Sequence, residues 1–213
     1  MAAPGQRPGI AAAVGATGRA DGRFVAGEAA LVVLAPEARP ARLRSFPPVC
    51  APDVTVLILG SMPGAASLQA GEYYAHPRNG FWPIMGALCG AGRELPYEER
   101  LLRLKAAGVA LWDVLQSCVR EGSLDTAIDD KTSVANDFEA FFRAHPQVRR
   151  VFFNGAKAEQ CFRRQVLGKQ AIPTGLVFAR LPSTSPAHAG MSLAEKLEDW
   201  RVVMEGSGGP AGT

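Results

Sequence analysis

Two stretches of this chain concentrate groups able to hold or transform a ligand. The first, GSMPGAASLQAGEYYAHPRNGFW over 60–82, crowds glycine, proline, aromatic rings, an imidazole and a carboxamide into 23 residues. The second, LPSTSPAHAG over 181–190, sets two prolines among three small hydroxyl residues and a histidine. Such a segment is rigid and rich in hydrogen-bonding groups, suited to gripping phosphates or pushing into a groove. Neither stretch matches a common nucleotide or hydrolase motif. GSMPGA lacks the lysine and hydroxyl residue that a phosphate-cradling P-loop needs, and in GSMPG the serine follows the first glycine directly, so it is no nucleophile elbow. Asp125, Asp129 and Asp130 in SLDTAIDDK lack the glycine and distal glutamate of a calcium loop. Cys50, Cys89, Cys118 and Cys161 stand 39, 29 and 43 residues apart with no CxxC and no nearby histidine pair. That is not a metal-ligand pattern. We expect four reduced thiols, no metal and no cofactor, in a cytoplasmic protein.

Both stretches need a scaffold, and the pattern of apolar runs supplies one. VTVLILG (54–60) is a continuous β-branched run ending in glycine, which suits a strand buried on both faces. VALWDVL (109–115), VRRVFFNG (148–155) and GLVFARLPS (175–183) repeat that theme. Between them, FWPIMGALCG (81–90), YEERLLRLKAAG (97–108), NDFEAFFRAHP (136–146) and AKAEQCFRRQVL (156–167) carry helical spacing. SLAEKLEDWRVVM (192–204) closes the series, with Ser192 and Glu195 placed for a capping box. The polar stretch 116–133 is expected to be loop. Alternating strands and helices imply an α/β three-layer α/β/α sandwich with a central four-stranded parallel sheet. In such sheets ligands sit at the carboxyl ends of the strands, where both stretches fall. A 23-residue connection inside a compact domain is itself a sign of function.

Composition and charge narrow the classes further. The chain has 213 residues, 47% hydrophobic and 20% charged, as an ordinary globular domain does. It contains no apolar run long enough to span a membrane. The net charge of +3 resides wholly in residues 1–44, which hold six Arg and three acids; the other 169 residues are balanced at 17 basic and 17 acidic. A polyanion would therefore be held by a local groove of amides and a few side chains rather than by a large positive face. We expect residues 1–44 to be a disordered extension, 45–205 the folded domain and 206–213 a flexible tail, the whole acting as a monomer.

The combination of motifs is specific. LILGSMPGAASLQAGEYYAHPRNGFW resembles the first motif region of the uracil-DNA glycosylase superfamily, closest to the hypoxanthine-DNA glycosylases (DNA-deoxyinosine glycosylases, family 6). YAHPRNGFW is also similar to the matching segment of mismatch-specific uracil-DNA glycosylases. LPSTSPAHA resembles the second superfamily motif, the Pro-Ser loop that presses on DNA and enters the helix from the minor groove. Together the resemblance covers about residues 45–205. It implies a monofunctional glycosylase that flips a deaminated base out of double-stranded DNA and hydrolyses its N-glycosidic bond. Deoxyinosine is the implied substrate. A uracil or mismatch-specific glycosylase, and an inactive DNA-binding module of the same fold, are the alternatives. The cysteines do not match the iron–sulfur pattern of the family 4 and 5 relatives.

The resemblance also assigns roles. Asn79 is the implied catalytic residue: its amide can orient the attacking water or bond the leaving base but cannot act as a strong base. The structural alternative is that it caps the helix starting at Phe81, and the two roles can coexist. Met62 stands where many relatives carry a water-activating Asp or a water-positioning Asn, and a thioether does neither well, which points to the hypoxanthine branch. Leu181 stands where a His or Asn often opens the second motif. Tyr74 is the base-stacking candidate, with Phe81 a lesser one. Gly60, Ser61, Met62, Pro63 and Gly64 shape the pocket floor, and His76 contacts phosphate or base or else stabilises its loop. Pro182, Ser183, Ser185 and His188 in the second motif, and Lys157 at a helix N-terminus, are the expected DNA contacts. Asp125 is a minor candidate for base or water contact.

Overall fold

The computed structural model describes residues 42–205. The extension up to residue 41 and the tail at 206–213 lie outside the described residues. Strands β2 (Val56–Gly60), β3 (Val109–Asp113), β6 (Arg150–Asn154) and β7 (Val177–Leu181) form a parallel sheet in the order β3-β2-β6-β7. Each strand is short, and the central two, β2 and β6, are buried almost end to end because both of their faces are covered. Val56 and Ile58 pack with Phe81, Trp82, Ile84, Met85, Leu104 and Trp200, which come from α2 (Phe81–Cys89), α3 (Tyr97–Ala106) and α6 (Leu193–Trp200). Leu57 and Leu59 point the other way, onto Phe138, Phe141, Phe142, Cys161 and Phe162 of α4 (Phe138–Ala144) and α5 (Ala156–Gln165). The period of two along one strand thus divides the apolar residues between two cores and makes the three layers. The expected α/β/α sandwich with its four-stranded parallel sheet is the fold observed.

Three departures from the sequence reading concern the site. The stretch expected as loop from residue 116 instead forms β4 (Leu115–Arg120) and β5 (Ile128–Ala135), joined through a 3-10 turn at Asp125–Ala127. These pair antiparallel, and β1 (Arg42–Arg44) adds to the free side of β4, giving a second sheet ordered β1-β4-β5. Its alternation is masked by bulges, since register shifts separate Leu115, Ser117 and Val119. The edge expected at residue 45 therefore falls inside paired structure: Arg42 lies opposite Val119, and its guanidinium donates to Ser117 Oγ and the Thr132 carbonyl. Within the long first connection the chain also makes a short helix, α1 (Ala65–Ala70), closed by Gly71 in the left-handed conformation. The capping box on α6 forms as read, with Ser192 Oγ accepting from the Glu195 N–H and Glu195 accepting from the Ser192 N–H.

Candidate functional site

The carboxyl ends of β2, β3, β6 and β7 open into a cleft of about 550 Å³, within the range of small-molecule sites. Its walls come from the first connection (Gly60–Ser67, Tyr73, Tyr74, His76, Asn79), the end of β3 (Asp113), the 3-10 turn (Asp125), the start of α5 (Lys157) and the second stretch (Ser183–His188). The two stretches singled out by composition, separated by 98 residues of sequence, thus face each other across one opening.

Their union is made by the backbone. The Gly80 N–H donates to the Thr184 carbonyl at 2.9 Å, tying the first connection to the second. Thr184 is almost fully buried and is held reciprocally by Asn154 at the end of β6: its N–H donates to Asn154 Oδ1 at 2.9 Å, and Asn154 Nδ2 donates to its hydroxyl at 2.8 Å. Trp200 Nε1 donates to the Pro182 carbonyl and Lys196 Nζ to the His188 carbonyl, so α6 grips the second stretch at both ends. At Gly155, with φ of 95°, a β-carbon would sit 2.9 Å from Ser183 Cβ, so only glycine fits between β6 and this loop. Ser183 and Ser185 hydroxyl oxygens accept from the Ser185 and Ala187 N–H groups, which leaves their O–H protons to donate outward. His188 is exposed on the rim.

Asn79 sits in a tight turn. Its Oδ1 accepts from the Phe81 N–H at 3.0 Å, so it holds the first N–H of α2 from the residue before the cap position, Gly80, and its own N–H donates to the His76 carbonyl. Its Nδ2 keeps no partner among the described residues and belongs to the cleft lining. Both readings of Asn79 from the sequence are thus compatible in one side chain, the oxygen structural and the nitrogen free. Arg93 clamps this turn from outside, donating to the carbonyls of Pro77 and Asn79. His76 Nδ1 accepts from the Arg78 N–H, which makes its ring part of the same turn.

Tyr74 adopts φ of 55°, a left-handed backbone that a bulky residue rarely accepts. Its ring lies on Phe81 with centroids 4.1 Å apart and 24° between planes, and it lines the cleft. Phe81 itself is fully buried and lies outside the lining, so the expected direct contact of Phe81 with a ligand is corrected: its ring backs Tyr74 instead. Pro182 is likewise outside the lining and serves through its carbonyl. Lys157 reaches the cleft, but its ammonium is 2.7 Å from Asp130 in a partly buried ion pair rather than free at the helix end. That contact holds the Asp130 carboxyl below its ordinary range.

The floor is built by Gly60, Ser61, Met62 and Pro63. Met62 is buried and contributes to the core beneath α4 as well as to the cleft. Ser61 Oγ donates to Asp125 Oδ1 at 2.7 Å, which brings the Asp125 carboxyl into the site. Burial raises the pKa of Asp125, opposed by the Ser61 hydrogen bond and by Arg120 and Lys157. Arg120 is itself buried and donates to the carbonyls of Pro63 and Gly122, fixing the turn after β2.

The residue that sequence reasoning missed is Asp113. It ends β3 beside Gly60, is 3% exposed, and its Oδ2 has no hydrogen-bond partner. Burial, then the nearby Asp125 carboxyl, push it up to about 8 against the pull of Arg120. A β-carbon on Gly60 would collide with Asp113 Oδ1 and lie 3.1 Å from Tyr74 Oη, so glycine is needed to seat this acid. The signal was available: one acid closes the otherwise apolar VALWD run, at the strand end where ligands bind. Among the described residues no group of His, Cys, Asp and Glu is arranged to hold a metal ion.

Known proteins match this arrangement. The family model described as the uracil DNA glycosylase superfamily matches residues 47–203, and the chain belongs to that superfamily. A protein of Methanosarcina acetivorans named hypoxanthine DNA glycosylase is 39% identical over 161 residues, covering 75% of this chain and 96% of that protein. A protein of the same name from Methanosarcina barkeri is 39% identical over 116 residues, covering 54% of this chain and 72% of its own length. The solution NMR structure of a Methanosarcina acetivorans protein, provisionally described as a uracil DNA glycosylase, superposes with a TM-score of 0.62 at 33% identity, covering 76% of this chain and 99% of that one.

Proposed function

We propose that the protein is a monofunctional DNA glycosylase that excises hypoxanthine from deoxyinosine in double-stranded DNA, acting as a monomer on chromosomal DNA. The relatives named for hypoxanthine support the base, and the cleft supports the chemistry. The observation that carries the reading is the Asn79 side chain, anchored through Oδ1 and presenting an unpartnered Nδ2 to the cleft. A base stacked on Tyr74 would meet that amide as its bond to the sugar breaks. An N–H donor there stabilises the charge left on the departing base, and it gains strength as that charge grows. Met62 leaves the floor without a polar group at the place where a water-activating side chain would stand. Ser183, Ser185 and His188 form the rim that would hold the DNA backbone, and the one lysine of the cleft lining, Lys157, is held by Asp130 rather than free to trap the sugar as a Schiff base.

Oligonucleotides carrying deoxyinosine, uracil, xanthine or a G·T mismatch test the proposal, with wild type beside Asn79→Asp. Aspartate keeps the acceptor for the Phe81 N–H and replaces the donor by a second acceptor carrying negative charge, the opposite of what a departing anionic base needs. Deoxyinosine cleavage by wild type, lost in a folded Asn79→Asp, is the expected result. Preferential cleavage of uracil or of the mismatch would replace the substrate. Binding without cleavage of any of them would make the protein a binding module.

A further inference from the structure

The cleft floor holds two buried polar atoms without hydrogen-bond partners, Asp113 Oδ2 and Tyr74 Oη, and both side chains crowd the point where a β-carbon on Gly60 would stand. An unpaired buried carboxyl is costly, and a protein interior normally satisfies it or does without it. The Asp113 carboxyl is satisfied by neither a cation nor an N–H among the described residues, while its main-chain carbonyl accepts from Asn136 Nδ2. The groups whose fields reach it are the Asp125 carboxyl and the Arg120 guanidinium, with the Tyr73 and Tyr74 hydroxyls also coupled to it. Among the described residues no basic side chain forms an ion pair with it, so only the more distant field of Arg120 offsets a negative charge there, against burial and the Asp125 carboxyl.

We propose that Asp113 works as a neutral carboxylic acid whose O–H donates to the exocyclic keto oxygen of the flipped base, selecting deaminated bases over their amino parents. This rests on the glycosylase reading above. The proton belongs on Oδ1, the oxygen on the Gly60 side of the cleft, because on Oδ2 it would have no acceptor, whereas a buried carbonyl oxygen tolerates the lack of a donor better. Deamination replaces an amino group, which donates, by a keto oxygen, which accepts. An O–H donor therefore gains a bond with hypoxanthine at the position where adenine would set two donors against each other. A site built to bond one group rejects the analogue that leaves it unpaired. An ionised carboxylate would reverse the preference, accepting from the amino group and repelling the keto oxygen. As the bond to the sugar breaks, negative charge spreads onto that keto oxygen, so the same hydrogen bond strengthens in the transition state; the proton stays on Asp113 throughout.

The test measures single-turnover excision of hypoxanthine and of adenine between pH 6 and 9.5 by wild type, Asp113→Asn and Asp113→Leu. Wild-type excision is expected to fall above about pH 8 as the donor ionises. Asp113→Asn retains an N–H donor that does not titrate. It should keep activity within about tenfold, and its profile should lose that alkaline fall. Asp113→Leu should lose roughly a hundredfold, the effect of removing one donor aimed at developing charge. Wild-type rates in Asp113→Leu, or an unchanged alkaline fall in Asp113→Asn, would overturn the inference while leaving the glycosylase reading intact. A wild type that excises no base would overturn both. Should Asp113→Leu not fold, the infrared carbonyl band of a neutral carboxylic acid, present in wild type at pH 7 and missing in Asp113→Asn, decides the protonation state directly; no such band overturns the proposal.

Discussion

The rim and the floor of the cleft treat their polar groups in opposite ways. Around the second stretch nearly every polar atom is claimed: Thr184 by Asn154 and Gly80, Pro182 by Trp200, His188 by Lys196, and the serine oxygens by neighbouring N–H groups. At the floor, Asp113 Oδ2 and Tyr74 Oη are buried without hydrogen-bond partners. A satisfied network holds a shape, whereas an unsatisfied one stores an affinity for whatever completes it. The contrast separates a scaffold that must stay put from a surface kept incomplete for a ligand.

That contrast can be broken from either side, and the largest effect should come where the two meet. Asn79→Asp removes a free donor but no structural bond. We expect a loss of roughly 10²–10³ in excision rate with little change in Tm. If Tm falls as much as activity does, Asn79 belongs to the scaffold alone. The floor should behave in the reverse sense. Because the folded state keeps Asp113 protonated up to about pH 8 while the unfolded chain releases its proton near 3.8, the native protein binds the extra proton between those values. Stability from this group is then greatest at low pH and declines as pH rises to 8. Asp113→Asn, which cannot ionise, should be the more stable protein by about 1–4 kcal/mol at pH 7, with the gap widening from pH 4 to 8 in denaturant titrations. A gap independent of pH would show that Asp113 does not titrate in that window.

Smaller effects follow on the rim. Asn154→Ala leaves the buried Thr184 N–H and hydroxyl unpaired and should cost about 1–3 kcal/mol, visible as a lower urea midpoint. Arg93→Ala frees the carbonyls of Pro77 and Asn79 at an exposed site, so we expect at most about a tenfold fall in excision rate and an unchanged melt. Replacing Asp130 by Asn releases Lys157 from a partly buried pair. The stability change should be under about 1 kcal/mol, and DNA affinity at low salt should rise slightly as the freed ammonium reaches phosphate.

Much of this was legible in the chain itself. The four parallel strands could be read because burial on both faces writes continuous apolar runs, and the capping box on α6 because Ser192 and Glu195 have a fixed spacing. The antiparallel sheet could not, since bulges break the alternation in SCVR and the half-exposed β5 reads IDDKTSVA, as polar as a loop. Arg42–Arg44 was hidden for the same reason, three residues whose role depends on a partner 75 positions away. Within the site, Asn79 and the second stretch stand out by residue type and the fold brings them to one cleft, while Phe81, a core residue first and a lesser candidate for base contact, lies behind Tyr74, since an aromatic beside a functional loop does not announce which ring faces inward. Asp113 escaped because nothing in its neighbours tells of the desolvation that makes it unusual.

The bond from the Gly80 N–H to the Thr184 carbonyl gives the cleft a mechanical property. The peptide that follows Asn79 is fastened to the segment that would meet DNA first. Thr184 is in turn locked to the end of β6 by both of its bonds to Asn154, so the Asn79 turn is indexed to the central sheet through the second stretch. The height of the Asn79 amide over the cleft is therefore fixed when the chain folds, by the same few bonds that fix the rim.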